Sequence, residues 1–317
     1  MNDKIKLGIS TCLLGENVRY DGGHKWDRYL TDIVGPFVQW VPVCPEVECG
    51  LPTPREAMHL AGNPESPRLV TIRSHTDHTE RMHQWSEKRL NDLENQELCG
   101  FIFKAKSPSS GMRDIKVYKE DGNPTSYKTA GLFARAFMHR FPLIPVEDEG
   151  RLNDAGLREN FIERVFVVHR WIQYLKQDRS AKGLVNFHTR HKLMLMAHSE
   201  SHMRQLGKML ADIKHSDFEE LLHQYFETLM QGLKRKATVN KNVNVLDHIL
   251  GYFKKQLSKD EKEEMRDIIS QYHHNLVPLI VPVTLLKHYI RKYEQSYLLD
   301  QYYLTPHPAE LALRNHV

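Results

Sequence analysis

The chain has 317 residues and a mass of 37.1 kDa, more than one domain of ordinary size and enough for two. With 40% hydrophobic and 26% charged residues and a mean hydropathy of -0.54, it groups with globular proteins that bury sizeable cores, which excludes a disordered tail. The net charge of +4 is uneven: from Arg151 onward 25 Lys+Arg meet 19 Asp+Glu, so the positive excess and 13 of the 19 histidines lie in the second half.

From the N-terminus, Met1 to Ile9 is charged and strand-like, without the apolar run and cleavage site of a secretory signal, so the expected compartment is the cytoplasm. Short β-branched runs at residues 6–10, 38–43, 69–73 and 100–104 are separated by turn signals. Between them, residues 76–97 place Met82, Trp85, Leu90 and Leu93 near helical spacing. Strand alternating with helix predicts an α/β domain with a mostly parallel, Rossmann-like sheet. Ligands of such sheets bind beyond the carboxyl ends of the strands. Cys12, Cys44 and Ser107 each fall at or just after a predicted strand end, so the fold is expected to let them converge.

Pro142, Pro145 and the acidic turn at 147–150 end this half and predict domains at 1–149 and 150–317. Beyond the boundary, residues 161–176, 185–212, 217–233, 245–257, 259–273 and 283–299 have helical spacing and few breakers, which predicts an all-α domain. The apolar stretch at 276–286 is too short for a membrane span and holds two prolines, so it reads as core. Thr305-Pro306-His307-Pro308 and the residues after it read as a partly ordered tail. His188, His191, His198 and His202 share one side of a predicted helix, where zinc ligation, RNA contact and simple packing compete. Arg190, Lys192 and Arg204 lie beside that stripe and favour phosphate contact over zinc.

All four cysteines, Cys12, Cys44, Cys49 and Cys99, are in the first third. Clustered cysteines in a reducing compartment point to metal or catalysis more than to disulfides. Thiolates suit zinc or iron–sulfur clusters, and a cluster held by three of them leaves one iron open to substrate. Each candidate also has a plain structural reading. A single cysteine is as readily a small buried hydrophobe, Glu46 a helix-capping carboxylate, Ser107 a turn hydroxyl, and Arg19 with Asp21 a loop brace. Arg55 divides evenly between a structural role and contact with phosphate or base.

Three segments in order carry a family resemblance: Ser10-Thr11-Cys12-Leu13-Leu14-Gly15 with Val18-Arg19-Tyr20-Asp21-Gly22, then Cys44-Pro45-Glu46-Val47 with Gly50-Leu51-Pro52-Thr53-Pro54-Arg55, then Lys106-Ser107-Pro108-Ser109. They resemble the thiouracil desulfidase (TudS) domain. The remainder, with Phe187-His188-Thr189-Arg190-His191-Lys192 and the terminal Asn315-His316-Val317, is similar to the helical YbgA-type domain fused to it in the RudS branch. The resemblance implies a 4Fe-4S enzyme that removes sulfur from thiolated uracil, and in the fused form from 4-thiouridine in tRNA. The alternatives are a desulfidase of free thiouracil or thionucleosides, and a non-catalytic iron–sulfur sensor or RNA-binding protein.

The chemistry expected under that resemblance uses Glu46 as general base toward water, Ser107 as a hydrogen-bonding or relay hydroxyl, and Lys106 or Lys104 opposite developing negative charge. Arg19, Asp21, Arg55, Ser109 and Ser110 are expected to contact substrate. In one respect the chain departs from the family pattern, which ends Ser-Pro-Ser-Cys-Gly with cysteine as third cluster ligand; Ser110 stands there instead. Cys49 occupies a position usually glycine or apolar, so the expected ligand set is Cys12, Cys44 and Cys49, with Cys99 the alternative third ligand. The oligomeric state is left open.

Overall fold

The structure is a computed structural model and describes residues 4–119 and 122–316. Met1 of the N-terminal segment and Val317 of the terminal motif lie outside the described residues. The chain divides into two compact units, Met1–Asp154 and Ala155–Val317, five residues past the expected boundary.

The first unit contains strands β1 (Ile5–Ser10), β2 (Val38–Val43), β3 (Met58–Asn63), β4 (Ser66–Thr71), β5 (Gly100–Phe103), β6 (Ile115–Tyr118), β7 (Pro124–Thr129) and β8 (Val146–Asp148), with helices α1 (Pro45–Glu48), α2 (Thr79–Glu94) and α3 (Leu132–Arg140). One sheet has the order β2-β1-β5-β8 and is parallel throughout. Its two central strands, β1 and β5, are covered on both faces, and Leu7, Ile9, Ile102 and Phe103 have no exposed surface. Phe101, Phe103, Phe133 and Phe137 pack together on one side. Gly8 permits this, since a Cβ there would lie 2.2 Å from the Phe101 ring.

A second sheet, β4-β3-β6-β7, was not expected. It is antiparallel except for the β3–β6 pair. Three of its strands do not stand out in the sequence: β6 has only four residues, β7 is Pro-Thr-Ser-Tyr-Lys-Thr, and β3 ends in Gly62-Asn63. The run predicted at 69–73 is strand from Ser66 to Thr71.

The second unit is helical, with α4 (Ala155–Gln177), α5 (Ala181–His198), α6 (Glu200–Ala211), α7 (Phe218–Leu233), α8 (Val239–Gly251), α9 (Lys259–His273), α10 (Ile280–Lys292) and α11 (Ser296–Leu299). Several starts are written in the sequence: Ser180, Asp217 and Thr238 cap their helices, and Ser258 forms a capping box with Glu261. Two expected helices are broken. The one at 185–212 divides at Ser199, whose φ of −157° is extended, and the one at 283–299 divides between Lys292 and Ser296. The closing segment is packed instead of loose. Tyr303, Leu304, Leu311, Leu313 and Arg314 are buried, and Arg314 reaches Glu163 at 2.7 Å and Glu159 at 3.0 Å. Burial of three aliphatic side chains and an ion-paired arginine offsets the entropy that a tail of this composition would otherwise retain.

Candidate active site

Parallel pairing in the order β2-β1-β5 places three strand ends side by side, and each feeds one segment of the site. After β1 the chain makes a single 3-10 turn, Thr11–Leu14, that carries Cys12 and is closed by Gly15 in left-handed geometry (φ 93°). After β2 comes Cys44, whose backbone N–H donates to Glu48 Oε1 at 2.8 Å, followed by the short helix α1 with Glu46. After β5, Lys104 N–H donates to Ser10 Oγ at 2.9 Å and the chain turns through Lys106 to Ser110. Together these segments line a cavity of about 580 Å³ that includes Cys12, Arg19, Cys44, Glu46, Ser107 and Ser110.

Glu46 is the centre of this arrangement, with 9% of its surface exposed. Its Oε1 accepts from Ser109 Oγ at 2.5 Å and from Ser107 Oγ at 3.5 Å. Its Oε2 faces Arg55 Nη2 and the Cys44 thiol, each at 3.7 Å. Ser107 Oγ itself accepts the backbone N–H groups of Ser109 and Ser110, which fixes the turn. Burial, with Glu46 adding to it, pushes the Cys44 thiol up to about 12. Burial likewise pushes the Cys12 thiol up to about 11, against the opposing pull of Lys104. Both are neutral thiols at pH 7 unless a bound cation draws off the proton.

The expected site residues are distributed over two layers. Glu46, Ser107, Lys106, Arg19, Arg55, Ser110, Cys12 and Cys44 line the cavity. Asp21 and Ser109 do not. Asp21 braces Arg19 through a 3.3 Å ion pair, and Ser109, with no exposed surface, holds Glu46 from behind, so neither is placed to touch a substrate. Arg55 is also committed to the scaffold, donating to Val18 O at 3.0 Å and to Pro52 O at 3.3 Å. Lys104 is paired with Glu149 and donates to Ala105 O at 2.9 Å, which leaves Lys106 and Lys25 as exposed ammonium groups in the cavity lining. Tyr20, Lys25 and Met58 also line the cavity and were not singled out. For Tyr20 the signal was present, since it lies inside the Val18–Gly22 motif beside Arg19.

The expected third thiol ligand is corrected by the geometry. Cys49 does not line the cavity: its thiol donates to Glu46 O at 3.2 Å, and the side chain packs against the cluster of Leu60, Leu69, Met82 and Leu132. One turn of helix separates it from Cys44 and rotates it toward the second sheet's core. Cys99 is no substitute, because its N–H pairs with Lys6 O at the amino end of the sheet, opposite the cavity. The cavity presents two thiols, and a cluster held by three cysteine thiols does not fit it. Among the described residues no group of three or more His, Cys, Asp or Glu side chains is gathered for a metal ion.

In the helical unit the four histidines have separate protein partners. His188 Nδ1 meets Tyr225 OH at 3.1 Å, His191 Nδ1 meets Phe187 O at 2.7 Å, His198 Nε2 meets Glu163 at 3.0 Å, and His202 Nδ1 meets Ser199 Oγ at 2.8 Å. The stripe is packing, and the break at Ser199 takes His202 off its line. Of the three expected RNA contacts, Arg190 lies over the Tyr302 ring at 4.5 Å, Arg204 pairs with exposed Glu200 at 2.6 Å, and Lys192 is exposed.

The fold and the cavity define a two-domain protein whose α/β domain carries a thiol-, carboxylate- and hydroxyl-lined site at the strand ends of a parallel sheet. The sequence model of the 2-thiouracil desulfurase family matches residues 7–149, and that of a protein family of unknown function, DUF1722, matches residues 192–308. The uncharacterized protein YbgA of Escherichia coli (strain K12) is 30% identical over 166 residues, 52% of this chain and 98% of that protein. A solved structure of the [4Fe-4S]-dependent thiouracil desulfidase TudS shares 30% identity over 48% of this chain and 95% of that chain, with a TM-score of 0.38. The chain belongs to the YbgA family through its C-terminal domain, which follows a TudS-type desulfidase domain. No helix among the described residues is long and apolar enough to cross a membrane.

Proposed function

We propose that this protein removes sulfur from 4-thiouridine in tRNA to give uridine, by a hydrolytic, non-redox reaction, with a 4Fe-4S cluster as cofactor. The observation that carries the reading is Glu46, a buried carboxylate held by Ser109 and Arg55 beside the Cys44 thiol in a cavity large enough for a nucleoside. The match to the 2-thiouracil desulfurase family supports the thiocarbonyl substrate, and the positive balance of the helical domain supports RNA as its carrier.

The chain's own residues have separable tasks. Glu46 accepts a proton from water as the water oxygen bonds to the thiocarbonyl carbon. Ser107, anchored by two backbone N–H groups, donates toward the base or relays that proton to Glu46. Lys106, exposed at the rim, faces the negative charge that develops on the ring. The carbon–sulfur bond then breaks and sulfur leaves as hydrosulfide, with no change in the oxidation state of carbon or sulfur. Lys192 and the basic helix surfaces hold the phosphate backbone.

The test is anaerobic reconstitution with iron and sulfide, followed by nucleoside analysis of tRNA that carries 4-thiouridine. Loss of 4-thiouridine with matching uridine and sulfide is the expected result. Conversion of free 4-thiouracil with tRNA left intact would replace the RNA reading by the free-base one. Binding of tRNA without release of sulfide would point to a sensor. RNA affinity should fall steeply with salt if phosphate contacts dominate.

A further inference from the structure

We infer that Trp26 and Tyr20, with the cations Lys25, Arg28 and Lys106, form a stacking surface at the mouth of the cavity for the unpaired nucleotides that flank the target base. The α/β domain then grips RNA itself. This rests on the RNA substrate named in the proposed function and concerns how that substrate presents its base.

The surface is built on the turn that carries Cys12. Lys25 N–H donates to Cys12 O and Asp27 N–H to Leu13 O, each at 2.9 Å, so residues 25–27 run alongside that turn. Lys25 lines the cavity, and Trp26 stands just outside the lining. The indole is fixed in place: its Nε1–H donates to Thr31 Oγ1 at 3.0 Å, and its edge rests beside Gly15, where a Cβ would lie 3.6 Å away. Even so, Trp26 is 48% exposed, alone among the four tryptophans in the exposed class. Tyr20, 46% exposed, lines the cavity from the tip of a tight turn that Gly22 N–H closes on Arg19 O at 3.0 Å. Two large aromatic side chains left in water beside one cavity mark a surface made to be covered.

The surrounding charge identifies what covers it. Arg28, itself exposed, lies over the Trp26 ring at 5.2 Å, and Lys25 and Lys106 stand in the lining. Arg19 is paired with Asp21, but Lys25, Arg28 and Lys106 have no carboxylate partner among the described residues. The acids of the same segment are engaged: Asp27 Oδ1 accepts Leu30 N–H at 3.1 Å, and Asp32 Oδ1 accepts the Thr31 hydroxyl at 2.8 Å. Aromatic rings interleaved with unpaired cations match single-stranded RNA, whose bases stack and whose phosphates are anionic. A base carried in a polynucleotide enters a cavity only by leaving its stack, and its neighbours then need new faces to lie against.

The experiment titrates tRNA carrying 4-thiouridine against the full chain at several salt concentrations, for wild type, Trp26→Ala, Trp26→Phe, Lys25→Ala and Arg28→Ala. It reads RNA affinity, tryptophan fluorescence and Tm, with a single-stranded RNA and a duplex of equal length as further probes. Trp26→Ala should bind tRNA about tenfold more weakly at an unchanged salt slope, because stacking releases no counterions, and Trp26→Phe should recover part of the loss. Lys25→Ala and Arg28→Ala should each lower the salt slope by about 1. RNA should quench the fluorescence of wild type but not of Trp26→Phe, and single-stranded RNA should bind more tightly than duplex. Trp26→Ala with wild-type affinity, or a duplex bound as tightly as the single strand, overturns the surface and leaves the RNA reading in place. Where Trp26→Ala melts below wild type, the two exposed cations decide, and an unchanged salt slope in both overturns the surface. Wild-type protein that binds no tRNA even at low salt overturns the RNA reading itself, and the surface with it.

Discussion

Glu46 is held on both oxygens, by Ser109 and Ser107 on one and by Arg55 and the Cys44 thiol on the other. A carboxylate restrained this way has little freedom to turn from an attacking water, which is what general-base catalysis requires. Glu46→Gln keeps the shape and removes the base. It should lower kcat by about 10²- to 10⁴-fold in single-turnover assays, with KM and iron content little changed. Ser109→Ala should act through Glu46 alone: roughly tenfold in kcat, again at constant iron, because one of four restraints is gone. An equal fall in iron loading would make Ser109 a support of the metal site instead. The sequence marked Glu46 and Ser107 because both sit inside short contiguous motifs. It did not separate Ser109 from Ser110, neighbours that point respectively behind Glu46 and into the cavity.

At the scale of elements, the loop after β5 is clamped to the start of α3. Gly131 N–H donates to Gly111 O at 2.7 Å, and the N–H groups of Phe133 and Ala134 donate to Ser109 O. A Cβ on Gly131 would lie 2.6 Å from the Ser109 carbonyl and 2.8 Å from Pro108 O, both rigid backbone. Gly131→Ala should therefore destabilise the α/β domain by about 1–3 kcal/mol and displace Ser109 from Glu46. The signs to look for are a lower Tm and a kcat below that of wild type when both are assayed well under the transition. Strands β1, β2 and β5 of the first sheet were readable as β-branched runs, whereas β8 lies in part where an acidic turn was expected, because Val146-Glu147-Asp148 has no strand-like pattern of its own and is held by pairing with β5. Of the second sheet only β4 was readable: β3 and β7 carry mostly polar or small residues, β6 has four residues, and the β3–β6 pair that joins the two hairpins is a contact between segments distant in sequence. The break at Ser199 was equally hidden: helical spacing runs straight through it, and the turn is set by how α5 and α6 pack.

Across the whole molecule, the helical domain depends on buried groups whose charge states differ from those of the unfolded chain. Burial, with Lys192 adding to it, lowers His188 from 6.5 to about 4, and burial lowers His191 well below its usual value. A lowered histidine favours folding above its unfolded value and loses that contribution as pH falls toward its folded one. For His188 this is roughly 3 kcal/mol between about pH 6.5 and 4. Glu163 works in the same direction at lower pH. Despite its burial, Arg314 and His198 hold it down to about 2, so its share is lost as pH falls from about 4.5. Glu159 has the opposite sign, since burial and Glu163 raise it to about 7 and its contribution fades as pH rises from 4.5. The histidines should dominate near neutrality. Thermal unfolding of the full chain should show a helical transition whose midpoint drops between pH 7 and 5; a midpoint that does not move would contradict the buried-neutral assignment.

The sequence by itself determined the division into an α/β and a helical half, the cysteine, glutamate and serine motifs, and their placement after strands, because each is a property of neighbouring residues. Tertiary structure alone decided which side chains of those motifs share a cavity. Cys49 turned into an apolar core, Ser109 retreated behind Glu46, and the last residues became a buried clasp around Arg314. Local pattern fixes where the backbone bends. The direction a side chain takes after the bend is settled by what the rest of the chain packs against it.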